Sequence, residues 1–331
     1  MTDFASENYF FTYAFLCVII SAGRICAVAF GDRMDVIMKT AEEFCRFLEI
    51  ENDITEDIIN LEKKVRERLG DKIYLLAKEA HKEGLCNAEF LELLHSAENY
   101  GEEIGEHKFR MQLVFAYFCF ALLEEKFEKA NLSKEIYKAT VTDFKMRIYE
   151  CREVYGFNGI FVAWWYLIFC NMSLLGIGGL EFEKTSSEFD YSKNGVEVKK
   201  GDSIVAIHIP PKFKMNRETV TRAIKESYKF YGFSGRVAYQ CDSWLLFPDY
   251  ENVFVKGGNI EEFRSFFDVI SHHYTKTFEE CWRVFKVGEI KSLDLMPRDT
   301  RLQRNVIEHL ENGGKVGEGF GVLVFDGENI V

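Results

Sequence analysis

Residues 204–209 form an apolar run that carries His208 and ends at Pro210-Pro211, where two amide donors are missing and a strand must stop. Strand alternation puts His208 on the face of Ile204 and Ala206, at the strand end where open α/β sheets place ligands. A neutral imidazole there can accept a proton as a general base; a half-buried structural histidine fits the same pattern. A second run, 236–241, leads into Asp242 and Ser243. Alternation places Val237, Tyr239 and Cys241 on one face, and Arg236, Ala238, Gln240 and Asp242 on the other. Asp242 is suited to orienting a base or a substrate, and Tyr239 or Ser243 to protonating a leaving group. A nucleophilic Cys241 needs a lowered thiol pKa that nothing nearby in sequence supplies, so a core thiol is expected.

Arg298, Arg301 and Arg304 crowd a helix start whose dipole is already positive. They fit an anion through their guanidinium forks, or ion pairs with Asp294 and Asp299. Gly317, Gly319 and Gly321 alternate along the following strand, as for close approach of a ligand or for a bulge. Adjacent His272 and His273 face opposite ways on a strand and cannot chelate one metal together. Nine cysteines without a C-x-x-C pair indicate neither a structural zinc site nor a full disulfide framework, so no metal is expected. No H-E-x-x-H, G-x-S-x-G or P-loop pattern occurs.

The elements that hold these residues change character along the chain. From Met34 to about Lys129 the apolar spacing is helical: Val36, Thr40, Phe44 and Leu48 share a face, as do Ile54, Ile58, Leu61, Val65 and Leu69. Asn87 and Ser133 read as N-caps, and 160–170 as a buried helix. All four prolines lie beyond residue 200. The first strand is expected at 180–183 and a polar hairpin at 185–201. Strands at 204–209, 236–241 and 264–270 then alternate with helices at 217–230, capped by Asn216, and 278–285. Thr300 and Gln303 form a capping box before a helix with Leu302, Val306, Ile307 and Leu310 on one face, and 320–325 reads as a buried strand.

With 331 residues and 47% apolar content the chain is an ordinary globular protein, and two domains are expected. A formal charge of −12 argues against non-specific nucleic-acid binding. The only long apolar segment, 9–30, lacks a basic flank and contains Arg24. Membrane association through it is possible but not favoured, and a cytoplasmic protein is expected.

Four segments, in order and spacing, resemble a family of bacterial acyltransferase-domain proteins: HIPP at 208–211, CDSWLLFP at 241–248, NIEEF from Asn259, and PRDTRLQR at 297–304. The resemblance spans the chain from Met34 onward. It implies an α+β / α/β fold: a helical N-acyltransferase-type N-terminal domain over 34–158, then a GNAT-like (N-acetyltransferase-fold) mixed sheet with flanking helices over 159–331. Residues 1–33 remain an apolar extension. It implies acyl transfer from a CoA thioester to an amine, with acyl-CoA as co-substrate and a small-molecule acceptor. His208 is then the first candidate base, with Asp242, Tyr239 and Ser243 beside it and Arg298, Arg301 and Arg304 for the phosphates. The alternative is a non-catalytic descendant of the fold that binds a small molecule or a protein partner. Two departures stand out. Asp242 occupies a position usually held by a second histidine-like residue, and the expected pyrophosphate loop, 209–216, has two prolines and no glycine.

Overall fold

The computed structural model describes residues 39–331; the apolar segment 9–30 lies outside the described residues. Among the described residues six helices come first: α1 (Ala41–Phe47), α2 (Asn52–Leu69), α3 (Lys72–Ala80), α4 (Asn87–Ile104), α5 (Lys108–Lys129) and α6 (Lys134–Tyr155). α5 is apolar around most of its circumference because it is the central helix, buried from Met111 to Ala121. α2 turns Ile54, Ile58, Leu61, Val65 and Leu69 inward, as its spacing requires. Ser133 caps α6 by accepting from the Ile136 amide. Two readings change. Thr40 is the N-cap of α1, in a box with Glu43, rather than a residue of its apolar face. Cys86, not Asn87, precedes α4, and the Glu89 carboxylate accepts from its amide at 2.9 Å. No helix among the described residues is long and apolar enough to cross a membrane.

Gly156 ends α6 in the left-handed conformation. The expected helix at 160–170 reduces to a 3-10 turn, Ala163–Trp165, and a single-turn α7 (Leu167–Cys170). The sheet follows: β1 (Leu174–Ile177), β2 (Leu180–Ser186), the small hairpin β3 (Tyr191–Lys193) and β4 (Val196–Val198), then β5 (Ser203–His208). After these come α8 (Arg217–Phe230), β6 (Val237–Ser243), α9 (Asn259–Arg264), β7 (Asp268–Tyr274), α10 (Cys281–Val284), α11 (Arg301–Glu311) and β8 (Gly317–Phe325). The main sheet has the order β1-β2-β5-β6-β8-β7, antiparallel except for β5 and β6.

β1 is a strand that the sequence pattern hides behind Gly176. A Cβ at Gly176 would lie 2.6 Å from the backbone carbon of Ala139, so only glycine lets α6 press against this edge of the sheet. The strand expected at 264–270 is also corrected. Arg264 ends α9, residues 265–267 form a turn, and pairing starts at Asp268. Phe266 and Phe267 are therefore both buried, where strand alternation would turn them to opposite faces. Helices and sheet share one continuous core, with α8 lying under one face; Tyr191, Ile204, Ala238, Val322 and Val324 form a smaller cluster on the other.

Candidate active site

β5 and β6, the only parallel neighbours among the described residues, pair at Val205 with Tyr239 and Ala206 with Gln240. Both strands then run on, to His208 and to Ser243, with no further pairing between them. Continuing the register by two residues would set His208 opposite Asp242. These two residues therefore flank a gap whose facing backbone edges have no ladder partner, on the sheet face away from α8. β2 and β8 cover the outer edges of the pair.

On one side of the gap His208 is held by two contacts. Its Nε2 lies 2.8 Å from Glu183 Oε2 and its ring meets Trp165 edge-on at 5.4 Å. A carboxylate only accepts, so Nε2 carries the hydrogen and the Nδ1 lone pair is left to take a proton. Glu183 reaches His208 because alternation on β2 puts Glu181 and Glu183 on the same face. The pair is a base with an orienting carboxylate, about one-quarter exposed at the histidine.

On the other side, ligand-type atoms of Asp242, His273 and Glu318 lie within 4.8 Å of one another. Asp242 is open to solvent, yet it lies on a floor dense with protein, and this crowding raises its carboxyl pKa; the charges of His273 and His208 oppose the rise and that of Glu188 adds to it. Glu318 is pushed up to about 8 by burial, with Asp242, Glu280 and Glu279 adding and Arg283 opposing. The face is rich in carboxyl groups that hold their protons more tightly than usual, and a cationic ligand would favour their ionised form. Gln240, on the same face of β6 as Asp242, is 7% exposed, and its Oε1 is buried with no partner among the described residues.

α6 carries a buried charge cluster beside Trp165 and Glu181. Arg147, 4% exposed, donates to Asp143 at 2.9 Å and to Glu150 at 2.8 Å and lies 5.6 Å from the Trp165 ring centre. Glu181 is pushed up to about 8 by burial and by Asp143 and Glu150, against Arg147. Its pKa in the folded chain is thus above its unfolded value, so between these pH values the unfolded chain holds fewer protons. Stability then falls as pH rises from about 5 to 8, by at most about 1.4 kcal/mol per pH unit for this group. Glu181→Gln should flatten that fall, gaining stability at pH 8 and little at pH 5. Thermal melts across this range check it; a gain equal at both ends contradicts it.

The other sequence candidates are placed elsewhere. Tyr239 is fully buried on the α8 face, its hydroxyl 3.0 Å from that of Ser227, away from His208 and Asp242. Ser243 accepts from the Leu245 amide at 3.2 Å and so caps the turn Trp244–Leu246. Burial pushes the Cys241 thiol up, as for a core residue. Arg298 pairs with Glu311 at 2.7 Å, and Arg304 donates to the backbone carbonyls of Arg298 and Asp299. The helix-start conflict is relieved by these groups instead of by the Asp294 and Asp299 carboxylates. Arg301 is exposed and has no ion-pair partner among the described residues. A Cβ at Gly319 would lie 2.3 Å from the Leu246 carbonyl oxygen, so the glycines of β8 admit a protein turn. His272 and His273 do diverge: the first lies near Phe247 and Tyr274, the second near Glu318. A cavity of about 240 Å³ lined by Ile204, Tyr231 and Ala238 lies at the opposite end of the parallel pair, away from the converging polar groups. Sequence reasoning missed Glu183, Trp165 and Glu318; only the acidic alternation Glu181-Phe182-Glu183 offered a signal, since the others meet His208 or Asp242 through tertiary packing.

Residues 39–172 match the model of the N-acyltransferase N-terminal domain, and residues 174–323 that of the GNAT-like C-terminal domain. No curated protein matches the chain. Among solved structures it is similar to a mutant acyltransferase in complex with octanoyl-CoA, at 16% identity over 85% of this chain and 86% of that one, TM-score 0.65. An acyltransferase in complex with decanoyl-CoA and teicoplanin gives the same values, and one with CoA and 10C-teicoplanin is 17% identical over 85% and 86%, TM-score 0.64. At such identity the likeness is one of fold.

Proposed function

The chain belongs to the family that joins an N-acyltransferase N-terminal domain to a GNAT-like C-terminal domain, and from that premise we propose that it transfers an acyl group from a CoA thioester to an amine. The observation that carries the reading is the gap between β5 and β6, flanked by His208 and Asp242. Free strand edges accept an extended chain bearing amides, as the pantetheine arm of CoA does. Gln240 Oε1, buried and unpartnered, adds an acceptor for a ligand N–H. The acyl donor fits these residues; its thioester carbonyl is the electrophile of the reaction.

The phosphates require positive charge near the β5–α8 junction. The leading amides of α8 are largely engaged: Arg217 N–H donates to Glu262 at 3.1 Å and Thr219 N–H to Asn216 at 3.0 Å. Side chains must then do what a glycine loop does elsewhere, and Lys212, Lys214 and Arg217 are the ones present. Arg301 remains the candidate from α11. The acceptor enters from the carboxyl-rich face, which attracts an ammonium group. His208 Nδ1 takes its proton and Glu183 holds the imidazolium that results. One structural neighbour is an acyltransferase in complex with decanoyl-CoA and teicoplanin, which supports a small-molecule acceptor.

A thiol-release assay with octanoyl-CoA and a panel of amines tests the proposal. Release of CoA should depend on the amine, and a Lys212→Ala, Lys214→Ala double variant should raise KM for the donor about tenfold, about 1.4 kcal/mol, with kcat little changed. Donor binding without amine-dependent release across the panel would instead mark a binding protein.

A further inference from the structure

Outside this cleft, three side chains from separate helices converge in the helical part. His81 follows α3 as its C-cap, Cys119 lies in the middle of α5, and Cys170 is the last residue of α7. One ligand atom from each lies within 4.8 Å of the other two. Both cysteines are free thiols, each 1% exposed, while His81 is half-buried.

We propose that His81, Cys119 and Cys170 bind a thiophilic divalent cation of the zinc class. Zinc bonds of about 2.3 Å to sulfur and 2.0 Å to nitrogen in a tetrahedron bring ligand atoms to about 3.5 Å apart, a small closure from the observed spacing. The histidine is already set for the role. Its Nε2 lies 2.8 Å from the Cys119 carbonyl oxygen, which can only accept, so that nitrogen carries the hydrogen. Metal-bound histidines are commonly held in this way by a backbone carbonyl. Nδ1 therefore keeps its lone pair; it is buried, makes no hydrogen bond of normal geometry among the described residues, and the ring already interacts with the Cys170 thiol. A buried acceptor without a well-formed hydrogen bond is destabilising, and a metal bond would remove that penalty. Lys126 donates to the carbonyls of His81 at 3.0 Å and Cys170 at 2.7 Å, tying two of the three ligand-bearing segments together. Its charge also eases the presence of two thiolates. A disulfide would use both sulfurs and leave the imidazole orphaned; two soft sulfurs with one imidazole suit zinc better. The half-buried His81 gives the route of entry and leaves a fourth position for water.

The test is a cobalt(II) titration of the full chain, reduced with a non-chelating phosphine and stripped by a chelator. The expected result is a thiolate-to-cobalt charge-transfer band saturating near one equivalent, displaced by zinc, with a rise in melting temperature. Cys119→Ser and Cys170→Ser should lose the band and Cys86→Ser should keep it. Absence of the band in the reduced wild-type chain under excess cobalt overturns the proposal, whatever the variants do. So does its persistence in both the Cys119 and Cys170 variants. Donor binding and turnover are not part of this readout, so the metal proposal and the acyl-transfer reading stand or fall separately.

Discussion

Replacing His208 with alanine lowers kcat/KM for acyl transfer by about 10²- to 10⁴-fold and leaves the dissociation constant for acyl-CoA unchanged. The size follows from the role. An acceptor amine is held as an ammonium ion by the carboxyl-rich face and becomes nucleophilic only after losing a proton. His208 is placed for that step by its bond to Glu183 at 2.8 Å, which leaves Nδ1 as the acceptor. The imidazole lies on the face of the sheet beside the strand gap, not in the ladder, so its removal spares the edges proposed to hold the donor. Steady-state kinetics together with calorimetry on the same variant separate the two effects. An unchanged turnover rate removes His208 from the mechanism. A loss of donor binding equal to the loss of rate makes it a structural residue.

The largest stability effect is expected at Arg147→Met, which should cost about 3–5 kcal/mol. Asp143 and Glu150 are 2% and 7% exposed, and both bond to this guanidinium. Burial raises the Glu150 carboxyl pKa even with Arg147 present, against the pull of that charge. Without Arg147, two buried acids and Glu181 would crowd one site with no cation inside it, while methionine refills only part of the volume. Urea unfolding at neutral pH measures the loss. Acidification should recover part of it, because protonated acids no longer need the guanidinium. A cost below about 1 kcal/mol, the range of exposed ion pairs, contradicts the reading of the cluster as buried and interdependent.

Local signals in the chain were read well where they were complete. α8 runs from Arg217 to Phe230 under its Asn216 cap, and α11 starts at the Thr300–Gln303 box, because capping needs only residues within a few positions. Alternation groups His208 with Ile204 and Ala206, and Asp242 with Ala238 and Gln240, but only the parallel register Ala206–Gln240 brings the two sets onto one face. The failures arise where tertiary packing overrides a local rule. Gly176 resembles a break until α6 is seen pressing on it. The aromatic run at Phe263, Phe266 and Phe267 resembles a strand, but a helix and a turn bury all three. Glu183 and Trp165 meet His208 from β2 and from the 3-10 turn before α7, at separations no motif encodes. The His81–Cys119–Cys170 cluster shows the limit most clearly. Its three residues come from separate helices, so no sequence spacing could reveal that they converge.

The gap between β5 and β6 as the seat of a CoA thioester is the claim on which the functional account rests. Calorimetric titration of the full chain with octanoyl-CoA tests it most directly. The account predicts saturable binding with a Kd between about 1 μM and 1 mM, weakened by the Lys212→Ala, Lys214→Ala pair. No saturable heat up to a few times that upper concentration would contradict it.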